Sequence, residues 1–247
     1  LKYYIMRIFL TGATSGIGFK TVKELSKSDN IIYAVGRNFK NFQTLPQSSR
    51  KKIQEINFDL NQTENIELLF SSLELENNKF DALIHCAGIE ETLPISLQVP
   101  SKINDIFKIN VFSTIEVLRC FSKKKYSNNG ASIVLLSSVM GILGQSGKVG
   151  YCSSKAAILG LVKSSAIELV KRKIRVNCIL PGIVKTEMSE KLFNNLSKEN
   201  IAKIEKMHPL GFGEVEDIYQ VILFLISSNS RWITGQEFIV DGGYSIV

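Results

Sequence analysis

The stretch GYCSSKAA, from Gly150 to Ala157, sets a phenol and an ammonium group four residues apart. On a helix, Tyr151 and Lys155 would share one face. Free phenols titrate near ~10 and free lysines near ~10.4, so neither is by itself a proton carrier at neutral pH. A cation held beside the phenol favours the phenolate and would make tyrosine a usable acid or base. The same spacing also suits an ordinary amphipathic helix with a buried tyrosine and a solvated lysine. The pair therefore needs support from the rest of the chain.

A second stretch with chemical potential is FLTGATSGIGF, whose glycines are Gly12, Gly16 and Gly18. Glycine lets a backbone turn tightly and approach a pyrophosphate at the amino end of the next helix. Thr14 and Ser15 add hydroxyl donors, and Ile17 lies in the same turn. The spacing is G-x-x-x-G-x-G rather than G-x-G-x-x-G, so the dinucleotide reading depends on a strand before it and a helix after it. NIIYAVGRN then ends in Gly36-Arg37-Asn38 and lacks the acidic residue that reads a ribose 2′-hydroxyl in NAD sites. Arg37 can fork onto a 2′-phosphate, with Lys40 assisting, which favours NADP(H) over NAD(H). An ordinary surface arginine is the alternative.

These residues need a scaffold, and the chain alternates strand-like and helix-like segments. The strand candidates are YIMRIFL, NIIYAVG, KIQEINF, FDALIHCAG, ASIVLLSS, IRVNCILPG and EFIVDGG. Helix patterns separate most of them, among them GFKTVKELSKS, NIELLFSSLELE, and segments near 101–121, 151–171 and 214–227. Apolar strands alternating with helices imply a parallel sheet covered on both faces. The expected architecture is a single doubly wound α/β Rossmann domain over residues 1–247. Residues 185–210 break the beat and read as one or two polar helices inserted after a strand. Such an insertion lies where these sheets bind ligands, so a substrate lid is expected, with a surface hairpin as the alternative.

The chain has 247 residues, 45% hydrophobic and 21% charged, a balance that supports a sizeable core. No apolar run reaches the ~20 residues of a membrane span, and no cleavable signal pattern precedes the glycine turn. A cytoplasmic protein without membrane partners is the expectation. Cys86, Cys120, Cys152 and Cys178 are scattered and read as reduced thiols, and His85 and His208 are far apart, so no metal site is expected. The net charge of +7 suits phosphorylated cofactors or acidic partners. No nucleic-acid motif accompanies it.

At this point the chain resembles the short-chain dehydrogenase/reductase family along nearly its whole length. The resemblance rests on TGATSGIG, HCAG, KIN around Asn110, SSVMG, YCSSK, PGIVKT and GQEFIVDGG. The nearest branch is that of the 3-oxoacyl-[acyl-carrier-protein] reductases. The resemblance implies a catalytic set of Asn110, Ser138, Tyr151 and Lys155. Tyr151 would donate the proton, and Lys155 would lower its pKa and bind the nicotinamide ribose. Ser138 would stabilise the developing oxyanion. Asn110 would kink its helix and hold a water that relays protons to Lys155. Ser137 competes with Ser138, but the thirteen-residue step to Tyr151 fits Ser138.

The resemblance also implies that Asp59 and Leu60 meet the adenine and that Ala87 and Gly88 line its ribose. Pro181, Gly182, Ile183, Val184 and Thr186 of PGIVKT would hold the nicotinamide carboxamide. Substrate-pocket candidates are Ser138, Val139, Met140, Gln145, Ile183, Met188 and Phe193. Two departures stand out. HCAG replaces the family's NNAG, so His85 would have to tie strand backbone together through a ring nitrogen. PLGFGEVED is shorter than its counterpart and lacks an arginine, which leaves the base of the lid open.

The implied function is NADPH-dependent reduction of a carbonyl such as a 3-oxoacyl thioester, free or carrier-bound, by a homotetramer. The alternatives are a dehydrogenase of a sugar, steroid or small alcohol and a non-catalytic NADP(H) sensor. KKK (Lys123–Lys125) and KRK (Lys171–Lys173) would lie side by side and could dock an acidic carrier, or simply cap helix ends.

Overall fold

The computed structural model describes residues 5–247 apart from 74, 76, 77 and 195. The expected first strand's Tyr4, Glu74 and Glu76 at the end of NIELLFSSLELE, and Asn195 of the expected lid lie outside the described residues.

Each strand candidate forms a strand. They are β1 (Arg7–Thr11), β2 (Ile31–Gly36), β3 (Ile53–Asn57), β4 (Phe80–His85), β5 (Ser127–Leu136), β6 (Arg175–Pro181) and β7 (Glu237–Val240). They make one parallel sheet in the order β3-β2-β1-β4-β5-β6-β7. The central strands are apolar throughout because helices cover both faces. Alternate side chains of β1 divide between two cores. Phe9 packs with Phe70, Phe80 and Val117 on one face, and Ile8 and Leu10 pack with Val22, Ile32 and Leu225 on the other.

The helices are α1 (Gly16–Leu25), α2 (Gln47–Arg50), α3 (Ile66–Ser71), α4 (Pro100–Phe107), α5 (Ser113–Phe121), α6 (Val149–Leu169), α7 (Glu187–Phe193), α8 (Lys198–Lys206) and α9 (Val215–Ile226). α1 packs on α9 on one face; α3 packs on α5, and α4 on α6, on the other. The single helix expected over 101–121 is α4 and α5 joined by a π-helical turn, Lys108–Phe112. α9 starts at a capping box, where Asp217 Oδ2 accepts from the Glu214 N–H at 2.7 Å. Among the described residues no helix is long and apolar enough to cross a membrane.

Strand order reverses direction between β1 and β4. A crevice opens outside the carboxyl ends of the strands at such a switch point, and ligands bind there. The glycine turn follows β1, Ser138 follows β5 and PGIVKT follows β6, so all three motifs gather at this edge.

Candidate active site

Two adjoining cavities occupy that crevice. One, of about 230 Å³, is lined by Gly12, Thr14, Ser15, Gly16, Ile17, Gly18, Arg37, Asp59, Leu60, Ala87 and Gly88. The other, of about 420 Å³, is lined by Ser138, Met140, Gln145, Tyr151, Lys155 and Pro181 to Val184. Ile17, Cys86, Gly88, Thr186 and Met188 line both, so the cavities form one groove. Lys40 lines neither, and Phe193 stacks on Phe212 at 5.1 Å instead of facing the cavity.

The glycine turn is built for close approach. Gly12 has φ +66°, and a Cβ there would lie 2.7 Å from the Ala87 nitrogen. A Cβ on Gly18 would lie 2.0 Å from the Gly12 carbonyl oxygen. The turn already holds an anion, since the Gly16 N–H donates to Glu187 Oε2 at 3.0 Å. A carboxylate at the start of α1 stands in for a phosphate. The turn, Arg37 and the open groove therefore fit a phosphorylated dinucleotide.

In the larger cavity, Ser138 Oγ accepts from the Met140 N–H at 3.2 Å, and its hydroxyl hydrogen-bonds the Tyr151 phenol. Ser137 is engaged elsewhere, donating to the Lys155 carbonyl at 2.8 Å. Lys155 Nζ donates to the Leu136 carbonyl at 3.0 Å and lies 5.8 Å from the centre of the Tyr151 ring. Burial lowers Lys155 to about 8. The Tyr151 phenol is pushed upward, first by burial and next by the Glu90 carboxylate, against the downward pull of Ser138. A buried phenol holds its proton until charge develops next to it.

Asn110 lies behind the cavity, inside the π turn. Its Oδ1 accepts from the Ile89 N–H at 2.8 Å, and its Nδ2 donates to the Ile89 carbonyl and to Ser154 Oγ, each at 2.9 Å. The side chain is thus a brace between the loop after β4 and α6. His85 differs from the expectation of a tie to strand backbone, because both its ring nitrogens meet hydroxyls. Thr11 Oγ1 is 2.8 Å from Nδ1 and Thr114 Oγ1 is 2.9 Å from Nε2. Thr114 gives its own proton to the Asn110 carbonyl at 2.8 Å. Nε2 of His85 must then be the donor and Nδ1 the acceptor of the Thr11 proton. Burial holds this ring neutral, down at about 3.

Two residues that the sequence reading passed over also line the cavity. Glu90 and Lys148 form an ion pair beside Tyr151. Among the described residues no cluster of His, Cys, Asp or Glu could hold a metal ion. The four cysteines are free thiols.

Comparison with known proteins gives the family. A family model described as Enoyl-(Acyl carrier protein) reductase matches residues 12–245. The chain is 32% identical over 239 residues to the 3-oxoacyl-[acyl-carrier-protein] reductase FabG of Rickettsia bellii, covering 96% of each chain. The chain belongs to the short-chain dehydrogenase/reductase family. It is an oxidoreductase of that family. Among solved structures of similar fold is ElxO with NADP bound, at 25% identity and a TM-score of 0.85, covering 98% of this chain and 99% of that one. Another is 4-hydroxyisoleucine dehydrogenase complexed with NADH, at 30% identity and a TM-score of 0.86, with the same coverage.

In this short-chain dehydrogenase/reductase the two basic clusters do meet, because Arg172 donates to the carbonyls of Ser122 and Ser127. Their position bears on the docking idea. They precede β5 and β6, whereas Ser138 follows β5. In the sheet Ser127 pairs with Phe80 and Leu135 with His85, so the six residues of β4, roughly 17–20 Å, separate the clusters' end of the sheet from the cavity's end.

Proposed function

We propose that this chain is an NADP(H)-dependent carbonyl reductase in which Tyr151 gives the proton. The observation that carries the reading is the convergence of Ser138, Tyr151 and Lys155 on one wall of a cavity continuous with the glycine-turn groove. When bound, the nicotinamide supplies the hydride. The remaining work falls to the chain's own residues. Gly12, Gly16 and Gly18 admit the pyrophosphate, with Thr14 and Ser15 as donors, and Arg37 meets the 2′-phosphate. Asp59, Leu60, Ala87 and Gly88 frame the adenosine, and Pro181 to Val184 with Thr186 frame the nicotinamide end. Ser138 hydrogen-bonds the carbonyl oxygen and stabilises the charge that develops there. Tyr151 protonates that oxygen. Lys155 stabilises the resulting phenolate and binds the ribose hydroxyls, while Asn110 fixes the loop and helix around them.

The substrate proposed is a 3-oxoacyl thioester, supported by likeness to the FabG relative and by a pocket rich in apolar side chains such as Met140, Met188 and Leu192. Residues 185–210 act as the lid over it. A second reading, oxidation of a small hydroxylated acid with NAD, has the NADH-bound 4-hydroxyisoleucine dehydrogenase in its favour. A panel of 3-oxoacyl thioesters, keto-sugars and simple ketones, each tried with NADPH and with NADH, tests the reading. It expects fastest NADPH consumption with the thioesters; no consumption with any carbonyl would contradict it.

A homotetramer is proposed as the assembly. Ile115 of α5 and Ile167 of α6 remain exposed, as do Trp232 and Ile246 near the carboxyl end, which offers two separate apolar patches. Light scattering that returned a monomer at micromolar concentration would contradict this. The four free thiols favour the cytoplasm as the setting.

A further inference from the structure

The cavity wall holds a second buried lysine that the roles above leave unused. Lys148 stands at the N-cap position of α6, three residues before Tyr151, and is only 4% exposed. Its ammonium pairs with Glu90 Oε1, from the loop after β4, and lies 5.6 Å from the centre of the Tyr151 ring. That is as near as Lys155, at 5.8 Å. Glu90 Oε1 is also within 3.3 Å of the Thr92 hydroxyl, and the Leu93 N–H donates to the Gly147 carbonyl at 2.7 Å. The loop after β4 is therefore latched to the segment leading into α6. The backbone bond alone would serve as a latch. A buried ion pair is a costly addition, since apolar residues of similar volume often give equal or greater stability. Its position beside the phenol calls for a different explanation.

We propose that Lys148 and Glu90 are a positioning pair that sets the proton affinity of Tyr151. Lys148 stabilises the phenolate, and Glu90 holds the ammonium beside the ring while offsetting part of its charge. The proposal rests on Tyr151 being the proton donor. In that step the reduced nicotinamide would supply hydride to the carbonyl carbon, and the C=O π pair moves to oxygen. That oxygen takes the Tyr151 proton, and the O–H pair stays on the phenol as phenolate. Negative charge thus appears on the ring system that Lys148 and Lys155 both approach. The groups facing Tyr151 are Glu90 and Ser138 from the loops after β4 and β5, and Lys148, Cys152 and Lys155 from α6 and its cap. Cys86, His208 and Tyr244 line the same cavity. Burial pushes the Cys86 thiol up to about 12, so it adds no charge near neutral pH. Glu90 raises the phenol and Ser138 lowers it, which is the sense the proposal requires of Glu90.

The test runs the reaction backwards, with NADP+ and the N-acetylcysteamine thioester of 3-hydroxybutyrate, and follows kcat/KM against pH. Tyr151 must then lose its proton, so the rate rises along a limb that reports its apparent pKa. Lys148→Gln is expected to move that limb to higher pH by about one unit, and Glu90→Gln to lower pH by a similar amount. The double variant should return close to wild type, and Lys148→Arg should keep the wild-type limb. Limbs that stay in place while KM or kcat falls would overturn the proposal and leave the pair a structural brace. Should Lys148→Gln fail to fold, the downward shift in Glu90→Gln decides alone. Tyr151→Phe in the same assay separates the two readings. If it keeps its activity, the proton-donor reading itself falls and this proposal with it. If it is inactive and the limbs do not move, only the pair is wrong.

Discussion

The two sides of the cavity are built differently. The wall formed by the end of β5 and the start of α6 presents Ser138, Lys148, Tyr151 and Lys155, all buried, with Ser138, Lys148 and Lys155 held by backbone or ionic partners. The opposite side, residues 185–210, contains α7, whose one buried residue is Ser189, and α8, which has none. Its ties to the rest of the protein include Glu187 to the Gly16 N–H, Lys185 to Glu214 and to the Gly213 carbonyl, Leu210 N–H to the Gly242 carbonyl, Phe193 on Phe212 and His208 stacked on Tyr244 at 4.5 Å. An exposed pair such as Lys185–Glu214 contributes little, because water and salt screen it. Groups that must meet a reacting atom within a fraction of an ångström belong on the first side. Groups that admit and release ligands belong on the second, where few buried contacts oppose movement.

Substitutions on the two sides should therefore differ in kind. The largest effect is expected on the fixed wall, from Lys155→Met. It removes the ammonium from both the phenol and the ribose site, so turnover should fall by ~10²–10⁴-fold and NADPH binding should weaken as well. Steady-state NADPH consumption and a fluorescence titration read the two losses. A loss in only one of them would mean that Lys155 does not hold both roles. Arg37→Asp, in the nucleotide groove, comes next. Replacing a charged hydrogen bond with repulsion should shift the kcat/KM ratio towards NADH by about 10–100-fold. A wild type that already uses both nucleotides equally would contradict the cofactor assignment. On the lid, Glu187→Gln removes the carboxylate that competes for the Gly16 N–H, and NADPH should bind ~2–5-fold more tightly. Unchanged affinity in that titration would mean that the carboxylate does not stand in the phosphate's place.

The smallest effect on turnover is expected at His85, whose signature is stability. Its folded value, about 3, is below its ordinary 6.5, so the unfolded chain takes up a proton first as pH falls. Stability is fully present above about 6.5 and is lost progressively towards about 3. His85→Asn should flatten that part of a plot of Tm against pH. A curve parallel to wild type would show that His85 does not carry the acid sensitivity.

The same division governs what could be read from the sequence. Tyr151 and Lys155 are one helical turn apart, and the glycines lie within seven residues, so local spacing exposes both motifs. The central strands, buried on both faces, are legible as continuous apolar runs, whereas the edge strands β3 and β7 are partly exposed. Lys148 and Glu90 are 58 residues apart, and Glu187 and Gly16 are 171 apart. No local pattern joins such pairs, and Lys148 in GQSGKVGY looks like any solvated loop lysine. The π turn at Asn110 was foreseen only as a kink implied by family likeness, because 3.6-residue periodicity does not register one extra residue in a turn. The place of the basic clusters was hidden for a topological reason. Sequence showed that the clusters were close, but not which edge of the sheet they occupied.

The central claim is that Tyr151 supplies the proton in a cavity that also accepts NADP(H). Tyr151→Phe tests it most directly when NADPH binding and reduction of a 3-oxobutyryl thioester are measured on the same preparation. The phenol is a proton donor and not the main anchor of the nucleotide, so binding should stay within a few-fold of wild type. Turnover should fall by ~10²–10⁴-fold, the range that positioned acid catalysis contributes. A variant that binds NADPH normally and keeps more than about a tenth of the wild-type rate would contradict the account.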